Sequence, residues 1–401
     1  MTEKTGAAQG LGLARAGGAI VLGGSHGSLA VARSLGRHGI PVWFLETSRS
    51  LTGFSRYVTK RLLWPGSDSP GAAQWLVLAA GTNHLKGWMI FPAGDAEVRF
   101  VAENHALLSR HFTLTTQPWD VLESAQDKNR LYALAEQLDV AYPKAINHGN
   151  PERFPVIIKP ATREEANALT LAKAWRADDA ESFRMLYAEA VRLMGADQVV
   201  VQELVPGDGA SQFSYAAVWD HGRPVASLVA RRSRQYPIDF GFTSTCVETV
   251  SKPEIEAAAS RLLQSIDYHG LVEVEFKRDA RDGLNKVLDI NTRMWTWIGL
   301  GEAASVDFPW IMWQVATGQK PVFQRGHPGA QWRHLSRDAV AAVLEVIKGR
   351  RGLAENAKSL LPGSVGAAFA WDDPIPGLID LPLVFPRILK RIAAARKSRA
   401  R

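Results

Sequence analysis

The chain has 401 residues, 46% of them hydrophobic and 22% charged. That composition supplies two or three globular domains and excludes a disordered, collagen-like or coiled-coil chain. Lys and Arg outnumber Asp and Glu by 47 to 40, so an anionic partner such as nucleic acid, a membrane surface or a phosphate-bearing substrate has to be considered. The single cysteine, Cys246, excludes an internal disulfide and a cysteine-based zinc site.

Residues 1–18 are rich in Gly and Ala and lack an apolar core with a cleavage site, so they read as a loose leader rather than a signal peptide. No apolar run approaches the roughly 18 residues that span a bilayer, which makes the cytoplasm the expected location. The first strand is Ala19-Ile20-Val21-Leu22. A glycine turn, Gly23-Gly24-Ser25-His26-Gly27-Ser28, leads into a helix ended by Gly36 and Gly39, and Pro41 to Glu46 reads as a second strand. This is the opening of a parallel α/β domain. The glycine turn has three readings: an anion- or substrate-binding loop at a helix N-terminus, a dinucleotide site with Glu46 on the ribose, or a tight turn that needs no Cβ. Its pattern, G-G-x-x-G, departs from G-x-G-x-x-G. His26 within it reads either as a substrate-side residue or as structural.

Residues 74–118 continue the α/β pattern, with a helix expected around Ala102–Phe112 and a domain boundary near Gln117-Pro118. A helix starts at Asp127-Lys128. Phe154 to Pro160 and Gln198 to Glu203 read as strands, the first carrying Lys159 near its end. Two hairpins follow, residues 213–230 turned at Asp220–Arg223, and Gly270–Arg278 with Asn285–Thr292. Strand side chains alternate faces, so Glu273 and Glu275 share one face, and Asp289, Asn291 and Arg293 share one face of the partner strand. Glu275, Asp289 and Asn291 can then converge as hard oxygen ligands suited to Mg²⁺ or Mn²⁺. Arg293, next in line, could hold an anionic group bidentately. Taken singly, each of these residues also fits an ordinary polar sheet face.

The order Lys128, Lys159, Gln202-Glu203, Glu275, Asp289-x-Asn291-x-Arg293 resembles the ATP-grasp superfamily over about residues 19–320, and within it the carboxylate–amine ligases related to D-aspartate ligase. Gly87-Trp88 to Pro92 with Gly94-Asp95, and Arg234-Gln235-Tyr236-Pro237 with Phe240-Gly241, support the narrower likeness. The resemblance implies an α/β and α+β chain. A parallel α/β domain over residues 19–118 precedes an ATP-grasp fold at 119–330, itself made of two α+β subdomains, 119–205 and 206–330. A C-terminal segment with a basic tail fills 331–401. It implies that Lys128 and Lys159 contact ATP phosphates, that Gln202, Glu203, Leu204 and Val205 form the adenine hinge, and that Asp208 meets the ribose. Glu275, Asp289 and Asn291 would hold Mg²⁺, with Arg293 near the small acid. The usual glycine-rich lid is missing from 161–167, which leaves Arg163 or Lys173 to reach the phosphates.

Arg231-Arg232-Ser233-Arg234 reads either as the binder of the anionic acceptor or acyl phosphate, or as an exposed strand end. The expected activity is ADP-forming ligation of a small-molecule carboxylate and an amine. Carboxylation, acyl-thioester ligation and non-catalytic nucleotide binding are the alternatives, and no nucleic-acid partner is expected. The last fifteen residues hold seven Lys and Arg and no acid, which accounts for the whole charge surplus. That tail reads as a solvated end or as a basic amphipathic segment on anionic lipid.

Overall fold

Ala19–Leu22 (β1) is buried at all four positions, as expected of a central parallel strand covered on both faces. The computed structural model describes residues 17–24, 26–146, 151–161, 167–172, 174–207, 209–236, 243–338, 341 and 364–380. After β1 come α1 (His26–Arg37), β2 (Val42–Glu46), β3 (Val58–Leu63), α2 (Ala72–Thr82), β4 (Met89–Pro92), α3 (Asp95–Glu103), α4 (His105–Leu108) and β5 (Thr113–Leu114). The strands pair in the order β3-β2-β1-β4-β5, every pair parallel. The order reverses between β1 and β4, so the loops that follow these two strands flank a topological switch point, where open α/β sheets bind ligands.

The helix expected around Ala102–Phe112 begins earlier, at Asp95, and breaks at Asn104 before the short α4. Asp95 and Glu97 occupy the first turn of α3, where carboxylates suit the positive end of the helix dipole. Gly23 takes φ +85°, and a Cβ there would lie 2.9 Å from the Glu97 carboxyl carbon, so both conformation and space call for glycine. Glu46 is 1% exposed, lies 3.0 Å from Arg61 Nε and accepts from the Ser50 amide. It is a buried brace for the strand ends, which overturns the dinucleotide reading of the glycine turn.

Next come α5 (Trp119–Gln126), α6 (Lys128–Gln137), β6 (Val156–Pro160), α7 (Ala168–Ala172), β7 (Trp175–Ala177), α8 (Ala180–Met194) and β8 (Val199–Glu203). Strands β7-β6-β8 form a small antiparallel sheet, with Ile158, Leu169, Phe183 and Val201 in a core of its own.

The remaining elements are β9 (Gln212–Asp220), β10 (Arg223–Tyr236), β11 (Thr243–Val250), α9 (Pro253–Ser265), β12 (Gly270–Arg278), β13 (Asn285–Asn291), α10 (Leu300–Ala303), α11 (Phe308–Ala316), β14 (Gln324–Arg325), β15 (Gln331–Arg333) and β16 (Val365–Gly366). Their strands build a third sheet in the order β13-β12-β9-β10-β11-β15-β16, with β14 beside β10. Both expected hairpins are present, and β9 pairs with β12 to join them.

Alternation gives this sheet two buried faces. Phe213, Tyr215, Val272, Val274 and Phe276 pack with residues of α6 and α9. Ala216, Val218, Leu228 and Ala230 pack with α1, α11 and the N-terminal sheet. Trp295, Trp297 and Trp313 belong to that second core. Among the described residues, no helix is long and apolar enough to cross a membrane.

Candidate active site

Asp127 caps α6, accepting from the amides of Asn129 and Arg130 at 2.8 and 3.0 Å. This N-cap fixes where the helix starts and so places Lys128 in its first turn. Lys128 is 6% exposed, and its Nζ lies 3.3 Å from Asp289 Oδ2 on β13. One helical turn later, Tyr132 is buried. Lys159 Nζ donates to the Tyr132 hydroxyl at 2.8 Å, and that hydroxyl donates to Gln202 Oε1 at 2.9 Å. The two lysines, from α6 and β6, are thus held in place, Lys128 by Asp289 on β13 and Lys159 by Tyr132.

Glu275 and Asp289 stand directly opposite each other in the β12–β13 ladder, as do Glu273 and Asn291. A bulge makes this possible. Val287 and Ile290 are three residues apart, which in a regular strand would put them on opposite faces. The extra residue Leu288, between the Val287 and Asp289 pairings, lets both enter the core while Asp289 and Asn291 face the carboxylates. Asn291 Nδ2 donates to Glu273 Oε2 at 3.2 Å and to Glu275 Oε1 at 3.1 Å, and its Oδ1 accepts from Arg293 at 3.3 Å. Arg293 in turn donates through Nε to Asp95 at the start of α3. The N-terminal domain therefore positions this arginine.

Arg232 on β10 reaches the same cluster, its Nη2 lying 3.9 Å from Glu275 Oε1. The structure separates it from its neighbours. Arg231 projects from the opposite face and pairs with Glu248, away from the carboxylates. Arg234 is 2% exposed and donates to Asp338 at 3.0 Å. At the end of β8, the Glu203 carboxylate is taken by Lys286 and Arg281, each at 2.7 Å. Burial alone would raise its pKa, but these cations hold it below the usual range. The Glu203 amide donates to Lys144 O at 3.1 Å and the Leu204 amide to Pro155 O at 3.4 Å, while Val205 is buried. Asp208, Lys173 and residues 162–166 lie outside the described residues.

Three contributors were not singled out from sequence. Tyr132 stands four residues after Lys128, a spacing that puts the two on one helix face. Glu273 shares its face with Glu275 but was not named as a ligand. Asp95 reaches Arg293 from 198 residues away, a contact that no local pattern encodes. A cavity of about 450 Å³ opens beside the cluster, bounded by Asp95, Arg99 and Trp119 on one side and by Lys128, Asp289 and Asn291 on the other.

Two consequences can be measured. Tyr132→Phe removes the hydroxyl that meets the Lys159 ammonium and Gln202 Oε1, and losing such buried hydrogen bonds costs about 1–3 kcal/mol. The apparent KM for ATP should therefore rise roughly tenfold, and steady-state kinetics checks it. Burial first, then the charge of Glu275, push Glu273 up to about 7 against the pull of Arg293 and Arg232. A carboxyl whose folded pKa is raised stabilises fully below its unfolded pKa and loses that stabilisation as pH rises through 7. In metal-free protein, Glu273→Gln should therefore melt higher than wild type at pH 8, with the gain vanishing towards pH 4.5. Calorimetric melting across that range checks it.

Comparison with known proteins agrees with this geometry. A family model described as ATP-grasp in the biosynthetic pathway with Ter operon matches residues 197–337. D-aspartate ligase of Enterococcus faecium is 22% identical over 230 residues, which are 53% of this chain and 54% of that enzyme. The match thus spans about half the length of that relative. Among solved structures, a biotin carboxylase from Campylobacter jejuni in complex with β,γ-ATP superposes with a TM-score of 0.59 at 14% identity, covering 75% of this chain and 71% of that one. An L-amino acid ligase from Bacillus licheniformis superposes with a TM-score of 0.58 at 15% identity, covering 76% and 75%. With the family model and these superpositions, the chain has the ATP-grasp fold.

Proposed function

We propose that the protein is an ATP-dependent carboxylate–amine ligase that works through an acyl phosphate and releases ADP and phosphate. The carrying observation is the convergence of Lys128 from α6, Glu275 from β12, and Asp289, Asn291 and Arg293 on and just after β13. Glu275, Asp289 and Asn291 offer oxygen donors with no thiolate or imidazole among them, a set that fits Mg²⁺ or Mn²⁺. Bound there, the ion would offset charge on the ATP phosphates.

The chain's own residues do the rest. Lys128 and Lys159 face the phosphates, the first braced by Asp289 and the second by Tyr132. Arg293, steered by Asp95 and Asn291, receives the substrate carboxylate. One oxygen of that carboxylate attacks the γ-phosphorus and ADP departs. The amine nitrogen then attacks the acyl carbon, phosphate leaves, and the nitrogen gives up a proton. Such chemistry depends on positioning and charge neutralisation rather than on a strong nucleophile. Arg232, on the same face as Glu275, is placed to hold the acyl phosphate. The likenesses to D-aspartate ligase and L-amino acid ligase support this class of substrates.

The test is ADP release from ATP and Mg²⁺ against a panel of amino acids and small carboxylates. Release that needs a carboxylate and an amine together supports the reading. Formation of AMP and pyrophosphate, or turnover indifferent to both, refutes it.

A further inference from the structure

His26 opens α1 behind the glycine turn, His334 follows β15, and Asp380 lies in a helical stretch that includes 375–380. Three distant parts of the sequence meet here. One ring nitrogen of each histidine and one Asp380 oxygen all lie within 4.8 Å of one another. The two imidazole centroids are 4.3 Å apart, tilted by 59°. His334 and Asp380 are buried and His26 is half-buried.

The hydrogen bonds around the group carry chemical information. Ser336 Oγ donates to Asp380 Oδ2 at 2.9 Å. A serine hydroxyl has one proton, so its contact with His334 Nδ1 at 3.1 Å requires the ring to donate. The lone pair of the neutral imidazole is then on Nε2. An imidazole oriented through its other nitrogen is the arrangement that metal-ligating histidines use. Asp380 Oδ1, the second oxygen of a carboxylate 4% exposed, is buried and makes no hydrogen bond. Leaving a buried carboxylate oxygen unmet is costly unless a cation meets it.

From this geometry we infer that His26, His334 and Asp380 form a site for a borderline divalent cation of the Zn²⁺ type. Two imidazoles and one carboxylate are zinc donors, in contrast to the all-oxygen set on β12 and β13. Tetrahedral ligands about 2.1 Å from zinc stand about 3.4 Å apart, so small side-chain rotations close the group around the ion. Three protein donors leave one position for water or a solute. The ion would also fasten the C-terminal segment to α1. That segment already runs along the helix through Arg33–Asp373 and Arg37–Asp372. In a second cluster, Asp220, His221 and His269, the ligand atoms also lie within 4.8 Å of one another, but the His221 side chain is 70% exposed. The inference does not depend on the ligase reading.

The test titrates Zn²⁺ into tag-free full-length protein by calorimetry, with millimolar Mg²⁺ present to fill the oxygen site. Wild type and His221→Ala should each bind one Zn²⁺ per chain, while His334→Ala and the near-isosteric Asp380→Asn bind at least tenfold more weakly. If either weakening variant fails to fold, Co²⁺ in wild type decides. A four-coordinate nitrogen–oxygen site gives strong visible bands that Zn²⁺ abolishes. Failure of wild type to bind Zn²⁺, unchanged affinity in folded Asp380→Asn, loss in His221→Ala alone, or only the weak bands of six-coordinate Co²⁺ would overturn the assignment.

Discussion

Asp289→Asn is expected to lower ATP-dependent ADP release by about 100- to 1,000-fold, the usual cost of removing one preorganised electrostatic group. Asp289 holds Lys128 at 3.3 Å and stands opposite Glu275 in the strand ladder. The substitution keeps the side chain's shape, and the β13 bulge depends on Val287 and Ile290 entering the core, so folding should survive. Loss of its charge loosens Lys128 and would weaken the hold on the proposed divalent ion, so the change should fall on kcat more than on KM. Turnover within threefold of wild type would show that the β12–β13 carboxylates are an ordinary polar face.

The largest stability effect is expected far from this cluster, at Arg33→Ala. Arg33 is 5% exposed and donates to Asp373 Oδ2 at 2.9 Å, to Ala368 O at 2.7 Å and to Asp373 O at 2.9 Å. Asp373, 1% exposed, also accepts from Ser55 and from the Arg56 amide. Removing the arginine leaves a buried carboxylate with no cation beside it, which costs about 3–5 kcal/mol. Urea unfolding should register that loss as a lower midpoint. A double variant, Arg33→Met with Asp373→Leu, should recover part of it, because the residual penalty comes from the stranded charge. An unchanged midpoint in Arg33→Ala would mean that the 364–380 segment does not anchor on α1.

Both results bear on what could be read from sequence. The second hairpin is legible because Val272 to Lys277 alternates and Asp279 to Gly283 supplies turn residues ahead of Val287 to Thr292. Alternation also brought Glu275, Asp289 and Asn291 together before any coordinates. It failed by one register step at Val287, where core packing imposes a bulge. It separated Arg231 from Arg232 only once the pairing of β10 with β9 and β11 was known. The start of α3 is set by Gly94 followed by Asp95 and Glu97 in its first turn, a signal weaker than the apolar run near residue 102 behind it. Contacts such as Asp95–Arg293 and Arg33–Asp373 join residues hundreds of positions apart, and only the packing of one domain on another creates them. The surplus of seven positive charges says little about the site. The tail that carries it lies outside the described residues, and the cluster relies on a few local cations, Lys128, Lys159, Arg232 and Arg293.

The most direct test of an acyl-phosphate ligase follows the oxygen. Once the panel has identified a carboxylate and an amine, the carboxylate is supplied with ¹⁸O in both positions, and the phosphate released with ADP is weighed by mass spectrometry. Attack of a carboxylate oxygen on the γ-phosphorus predicts one ¹⁸O atom in each phosphate formed, with the other retained in the amide product. Unlabelled phosphate would contradict the account, because the substrate carboxylate would then never have been phosphorylated.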